Sequence, residues 1–293
     1  MNARALDGMV PEPTDREFNQ LRELVLQHAG IHLNDSKKPL VYGRLARRVR
    51  ELELESFGAY YRRVLEDDAE LVRFLDRITT NETHFFREPH HFVHLADTIL
   101  PSLVEAAAAG ARAKTVRVWS AGCSTGEEPY SIAMTLLDRL PPAGWSIDVL
   151  ATDLSTRVLD VARGATWPES RTSGIPEDFL HKYMLRGIGS RAGFVRASPR
   201  LRSVVRVGRL NLNDDVYPAG EPFDLVFCRN VLIYFQPARR QRVLARLVSR
   251  LAPDGQLFVG HAESVQGLPD RLRCVCPTVY ARADVRESGR RFA

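Results

Sequence analysis

The chain has 293 residues, 44% of them hydrophobic, with 41 Lys and Arg against 36 Asp and Glu and a formal net charge of +5. That is apolar material for one large domain or two ordinary ones, which excludes a disordered chain. No stretch reaches the roughly 20 apolar residues of a bilayer span, and Met1–Thr14 lacks the apolar core of a signal peptide.

The first part reads as helical. Thr14 and Glu17 have the spacing of a capping box, Phe18, Leu21 and Val25 follow helical periodicity, and Gly30 predicts the stop. A second helix follows Pro39, with Val41, Leu45, Val49 and Leu52 on one apolar seam. Ser56 and Asp68 predict the N-caps of helices over Tyr60–Leu65 and Leu71–Ile78. A polar interruption, Thr79–Thr83, runs into His84-Phe85-Phe86-Arg87. Pro89 opens a further helix that leads through Pro101 into an alanine-rich linker near Ala106–Lys114.

Strand, loop and helix then alternate, which predicts a mostly parallel sheet covered on both faces. Strands are expected at Val116–Ser120, Ile147–Ala151, Phe223–Cys228 and Gln256–Gly260, with a closing pair within Arg273–Ala281. Glu127–Leu140 and Pro237–Leu251 read as helices, and Ser155 as the cap of another. Gly164–Arg209, rich in Gly and Arg with β-like runs at Gly193–Arg196 and Val204–Val207, reads as an inserted subdomain. The predicted domains are 1–88, all-α; 89–114, a linker helix; and 115–285, an α/β domain carrying the 164–209 insertion.

Ligands of open parallel sheets bind at the carboxyl ends of the strands. Four features fall there. Gly122–Gly126 is a glycine-bearing loop whose backbone can approach a ligand, although many ordinary strand-to-helix turns look alike. The helix after it begins Glu127-Glu128, which would repel a pyrophosphate and suits a cation, or simply complements the helix dipole. Asp153 can take a ribose diol, or cap the next helix. Arg229-Asn230 and Asn211-Leu212 reach the same rim, where the latter could hold an adenine edge. Together they describe a nucleoside carrying positive charge and no phosphate, which is S-adenosylmethionine.

Four of the basic residues are lysines (Lys37, Lys38, Lys114 and Lys182) and the rest arginines, which grip carboxylates and phosphates with paired hydrogen bonds. Lys37 to Arg63 holds eight basic residues against Glu51, Glu53 and Glu55. Arg44 and Arg47 lie beside the apolar seam, with Arg48 at its margin. Such a run is a solvated face or a docking surface for an acidic partner. His90 and His94 stand one helical turn apart, but no partnering acid or cysteine falls at a metal-ligand spacing, so no metal is expected. Cys274 and Cys276 read as buried small hydrophobes on a strand. The four cysteines, with Cys123 and Cys228, form no disulfide framework, so a cytoplasmic protein is expected.

Three segments carry a family resemblance: Thr80-Asn81-Glu82-Thr83-His84-Phe85-Phe86-Arg87, the run Trp119–Ser131 (WSAGCSTGEEPYS), and Phe227-Cys228-Arg229-Asn230-Val231-Leu232-Ile233-Tyr234-Phe235. They resemble the motifs of the CheR chemotaxis receptor methyltransferases, and Gly260-His261-Ala262-Glu263-Ser264 and Thr278-Val279-Tyr280 resemble C-terminal pieces of that family. The resemblance implies an S-adenosylmethionine-dependent α/β domain with a β insertion and a helical N-terminal domain. It implies methyl transfer to glutamate side chains on the helical cytoplasmic bundle of chemoreceptors, giving methyl esters. It implies cofactor contacts from Asn81, Thr83, Arg87, Glu128, Asp153, Asn211, Leu212 and the Cys228–Arg229 backbone, with Arg87 and Tyr234 nearest the transferred methyl. Arg44, Arg47 and Arg48 would then dock the receptor, and in some members the insertion takes a receptor C-terminal tail peptide. No nucleic-acid partner and no membrane insertion are expected. The competing readings are an RNA methyltransferase, for which Cys228 is the candidate thiol, and a non-enzymatic S-adenosylmethionine-binding scaffold.

Overall fold

The computed structural model describes residues 10–263, 265 and 272–283; Ser264 of the Gly260–Ser264 motif, residues 1–9 of the first predicted domain and residues 266–271 and 284–285 of the last lie outside them. Helix α1 (Asp15–Ala29) begins at a reciprocal cap. The Thr14 hydroxyl accepts from the Glu17 amide at 3.3 Å, and the Glu17 carboxylate accepts from the Thr14 amide at 2.9 Å. Helices α2 (Lys38–Glu51), α3 (Phe57–Glu66) and α4 (Asp68–Ile78) follow. Phe18, Leu21, Val41, Leu45, Val49, Tyr60 and Phe74 close a core of their own. Ser56 caps α3 as expected, but the cap of α4 is Asp67 rather than Asp68. Asp67 holds an extended backbone, so its carboxylate meets the amides of Ala69 and Glu70 at 2.9 and 3.3 Å.

From Thr80 the chain is extended, then α5 (Pro89–His94) passes through a π-helical stretch, Leu95–Ile99, into α6 (Leu100–Ala108). The α/β part runs β1 (Thr115–Ala121), α7 (Glu127–Arg139), β2 (Ser146–Asp153), α8 (Thr156–Gly164), β3 (Thr166–Pro168), α9 (Glu177–Tyr183), β4 (Met184–Arg186), β5 (Phe194–Ala197), α10 (Pro199–Ser203), β6 (Val205–Arg209), β7 (Phe223–Cys228), α11 (Pro237–Ser249), β8 (Leu251–Val259), β9 (Leu272–Cys276) and β10 (Val279–Arg282). The main sheet has seven strands in the order β6-β2-β1-β7-β8-β10-β9. It is parallel from β6 to β8, and β10 and β9 close it antiparallel. The apolar residues of β1 and β7 are buried on both faces of the sheet, which is why these strands read as continuous apolar runs.

Two expectations are corrected here. The run at Val204–Val207 belongs to the main sheet and not to the insertion. As β6 it pairs with β2, Val149 opposite Val205 through Asp153 opposite Arg209, because its alternate apolar residues cover α7 and α8. The insertion's own sheet is three-stranded, β3-β5-β4, and antiparallel. Ser155 occupies the N-cap of α8, but its side chain makes no cap bond. Asp76 of α4 does that work across the domain boundary, accepting from the Thr156 amide at 2.8 Å and the Thr156 hydroxyl at 2.6 Å.

Candidate active site

The strand order reverses between β1 and β7, and the carboxyl ends of β1, β2, β6 and β7 open there into a cavity of about 410 Å³. Asn81, Thr83, Arg87, Glu128, Asp153, Asn211, Leu212, Arg229 and Tyr234 all line it. Cys228 does not. Its side chain is fully buried behind the sheet, and burial, with the charges of Glu263 and Glu128, pushes its thiol far above the ordinary range. It offers no nucleophile to the cavity.

At the end of β2, the Asp153 carboxylate accepts from the Ser124 amide and the Ser155 amide, each at 2.9 Å. Burial still raises its pKa above the usual carboxylate value, against the pull of those amides. A ligand hydroxyl donating to it would relieve that cost. The loop before α7 approaches closely. Gly122 has φ +91°, and a Cβ there would stand 2.4 Å from Val231 Cγ2. The Ser124 hydroxyl donates to the Asn81 carbonyl at 2.9 Å, tying this loop to the Asn81–Arg87 segment.

The two glutamates opening α7 part company. Glu127 is fully buried and ion-paired with Arg171 of the insertion, so it does not face the ligand. Glu128 does face the cavity; it accepts from the Ser120 hydroxyl at 2.7 Å and from Arg229 at 3.0 Å. Arg229 is itself buried between Glu128 and Glu88 and donates to the Arg87 carbonyl. Burial disfavours the Glu88 charge, but Arg229 and His261 together hold its carboxyl below the usual range. Arg87 stands between two residues in the left-handed region, Phe86 at φ 53° and Glu88 at φ 57°. The strain is carried by the Phe86 amide donating to Ser131 Oγ at 3.0 Å and by Arg229 underneath. Its own guanidinium bonds the Glu82 carbonyl at 3.1 Å.

The Arg229–Tyr234 segment is pinned by Glu263. This buried carboxylate accepts from the amides of Gly260, Asn230 and Leu232 at 2.6, 2.8 and 2.7 Å. Burial raises its pKa against the pull of those amides.

The sequence left the far wall unassigned. Ala29, Ile31, His32, Leu33, Lys37, Leu40 and Arg44, from α1, α2 and their connection, close the cavity from the N-terminal domain. The His32 amide donates to the Tyr234 carbonyl at 2.9 Å, and Ile31 bridges Phe235. Gly30 was legible only as a helix stop. A Cβ there would stand 2.8 Å from the Phe235 ring and 2.7 Å from Asn213 Oδ1, so it also marks the contact between domains.

Two expected roles change. Arg44 is no surface cation: its guanidinium donates to the carbonyls of Ile78 and Thr79 and to the Thr80 hydroxyl, and it lines the cavity. Arg48 is spent on buried Glu70, at 2.8 Å, and on Glu51, at 3.3 Å, so it cannot serve as a free docking charge. Arg47 alone of the three points outward, 78% exposed, against Glu51. The Asn211 amide nitrogen donates to the His28 carbonyl at 2.6 Å and to Asp214, and so a residue that lines the cavity also stitches the domains together. Among the described residues, Glu88, His90 and His91 bring ligating atoms within 4.8 Å of one another, but Arg229 already compensates Glu88 and His91 Nε2 is 2.7 Å from Thr278 Oγ1. His94, the expected neighbour of His90, faces Gln256 instead. Cys274 is exposed at the sheet edge and Cys276 partly buried.

A family profile described as "CheR methyltransferase, SAM binding domain" matches residues 81–281, and one described as "CheR methyltransferase, all-alpha domain" matches residues 16–79. The "Chemotaxis protein methyltransferase" of Escherichia coli strain K12 is 42% identical over 271 residues, 92% of this chain and 91% of that protein. The "Chemotaxis protein methyltransferase 2" of Pseudomonas aeruginosa is 40% identical over 270 residues, 92% of this chain and 94% of that one. The Borreliella burgdorferi "Chemotaxis protein methyltransferase" is 34% identical over 273 residues, 92% and 95% of the two chains.

Proposed function

The chain belongs to the CheR methyltransferase family, with S-adenosylmethionine as its cofactor, and from that premise we propose that it transfers the methyl group to glutamate side chains of chemoreceptor cytoplasmic helices, giving methyl esters. The observation that carries the glutamate reading is the character of the wall opposite the sheet. It presents Lys37 and Arg44, and the strand-end side of the same cavity adds the Tyr234 phenol, all of which attract or donate to a carboxylate.

The cofactor supplies a methyl group already activated on a sulfonium. Asp153 holds the ribose, and the cradle around Gly122 and Ser124 admits the ligand backbone to backbone. Arg87, fixed from below by Arg229, takes the cofactor carboxylate. Glu128 answers the positive end of the ligand and Leu212 covers its base. Arg44 and Tyr234 align one oxygen of the substrate carboxylate, leaving the other free to attack in line. A glutamate with a reference pKa of about 4.3 is already ionised at neutrality, so the reaction needs alignment and water exclusion and no general base. Cys228, the thiol an RNA-directed mechanism would use, is buried away from the cavity.

Outward-facing Arg47 is the remaining candidate for electrostatic docking on α2, and the free edges of the insertion's small sheet suit a tail peptide that adds as a strand. On this reading the protein works in the cytoplasm on the receptor bundle; no helix among the described residues is long and apolar enough to cross a membrane.

Single-turnover methyl transfer to a receptor fragment at saturating cofactor tests the chemistry. Between about pH 6.5 and about 8.5 the rate stays flat and the product is base-labile, because no group has to accept a proton. A rise of about tenfold across that window means a required base or a different nucleophile, and the carboxylate mechanism falls.

A further inference from the structure

Beside the cavity lies a second, open groove of about 590 Å³ between α4 and the start of α8. It shares Arg44, Thr79 and Asn81 with the cavity and is lined besides by Arg73, Asp76, Arg77 and Arg157. Its charge is unbalanced. Asp76, the one acid lining it among the described residues, has both oxygens engaged by Thr156 at 2.8 and 2.6 Å. Arg73 leans on Glu70 at 3.3 Å, but Glu70 already serves Arg48 and Tyr60. Arg77 leans on Glu51 at 3.2 Å, an acid shared with Arg47 and Arg48. Arg157 is exposed and makes no hydrogen bond or ion pair among the described residues, while standing close enough to Arg44 for the two charges to repel. A groove lined by four guanidinium groups, whose neighbouring acids are shared with other cations or engaged elsewhere, is complementary to an anion supplied from outside.

We propose that this groove binds an acidic side chain of the substrate helix, about one turn from the glutamate that enters the cavity, and so helps to choose which glutamate is methylated. The inference rests on the glutamate reading given above. One turn of helix advances about 5.4 Å, so two acids three or four residues apart share a face and can reach adjoining sites. The shared residues Arg44, Thr79 and Asn81 make the groove and the cavity adjoin. Among the described residues the lining holds no aromatic ring on which a base could stack, which favours a protein carboxylate over a nucleic acid. The groove is lined by α4 and α8 across the domain boundary together with Arg44 of α2, and Arg47, which shares Glu51 with Arg77, is not among its lining residues.

The test uses the full-length protein with Arg73→Glu and Arg157→Glu, singly and together, and two helical receptor fragments. Each fragment carries one target glutamate; in one, glutamates stand four residues before and after it, and in the other, glutamines. For the acidic fragment kcat/KM falls about tenfold in the double variant, more at low salt than at high salt. For the glutamine fragment it does not fall, and the affinity for S-adenosylmethionine is unchanged with either. Equal loss on both fragments, or loss on neither, overturns the proposal. Loss of single-stranded RNA binding with intact fragment kinetics assigns the groove to nucleic acid and overturns it as well. If the wild-type protein labels neither fragment at any glutamate, the glutamate reading itself fails and takes this proposal with it.

Discussion

In the proposed site Asp153 is the ribose acceptor: it is a buried carboxylate at the carboxyl end of a strand, and its charge is already costly before a ligand arrives. Removing it in Asp153→Ala weakens S-adenosylmethionine binding by about 1.5–3 kcal/mol, the worth of hydrogen bonds to a charged group. The raised pKa adds a pH signature. Ribose hydroxyls donate to the ionised form, so cofactor affinity declines as pH falls, and the decline begins above the usual carboxylate range. The calorimetric affinity of wild type and of Asp153→Asn, measured from about pH 7.5 to about 4.5, checks this: the asparagine variant loses that dependence. A wild-type profile that is flat throughout rejects the assignment. Cys228 makes the opposite point at the same scale. Its place at the end of β7, beside Arg229, looked like a functional rim, but alternation along the strand turns its side chain behind the sheet.

Among elements, Arg229 is the junction. It ties the end of β7 to the first turn of α7 through Glu128, to the entry of α5 through Glu88, and to the backbone of Arg87. Truncation to Ala leaves Glu88 and Glu128 together in a buried space without a cation, a loss of about 3–5 kcal/mol. Here the sign with pH is fixed by Glu88. Its folded pKa lies below the unfolded value, so the wild-type pairing stabilises above the ordinary carboxyl value and is lost as pH falls through the lowered one. In Arg229→Ala the orphaned Glu88 carboxylate protonates more readily, so the variant's deficit shrinks toward acid. Urea unfolding of both proteins at about pH 7 and about pH 5 measures this, and a deficit that grows toward acid contradicts the arrangement. Glu263 has a related structural role, since one carboxylate orders three amides of the Gly260 and Asn230–Leu232 loops.

At the scale of the whole molecule the cavity is an interface. The N-terminal helices supply one wall and the strand ends the other. The two are sewn together by His32 on Tyr234, Asn211 on the His28 carbonyl, Arg239 on the Leu26 carbonyl and Asp76 on Thr156. A ligand held between both walls stabilises them jointly. Trp119, Trp145 and Trp167 all lie in the α/β part, so their fluorescence reports that part alone, whereas far-ultraviolet dichroism reports both. The two thermal transitions are expected to coincide. S-adenosylhomocysteine at a hundredfold excess over its Kd adds about 2.7 kcal/mol and moves both transitions up together. A ligand that moves the fluorescence transition and leaves an earlier dichroism transition behind shows that the helical wall is not part of the site.

Local order was legible in the residues themselves. Thr14 and Glu17 wrote the start of α1, the apolar run Phe223–Cys228 wrote a strand buried on both faces, and the order of strands and helices implied that Gly122, Asp153 and Arg229 meet at one rim. These follow from short-range periodicity and capping, which act within a few residues. What only the tertiary structure decided depends on partners far apart in the chain. The β-like run at Val204–Val207 joined the main sheet because α7 and α8 needed its apolar side covered. Arg44 and Arg48, read as surface groups, turned inward to serve the Ile78 carbonyl and Glu70, and Asn211, read as a ligand group, took the His28 carbonyl as a partner as well. A charged or amide side chain carries no local sign of which buried acceptor it will satisfy, because that acceptor exists only once the two domains have packed.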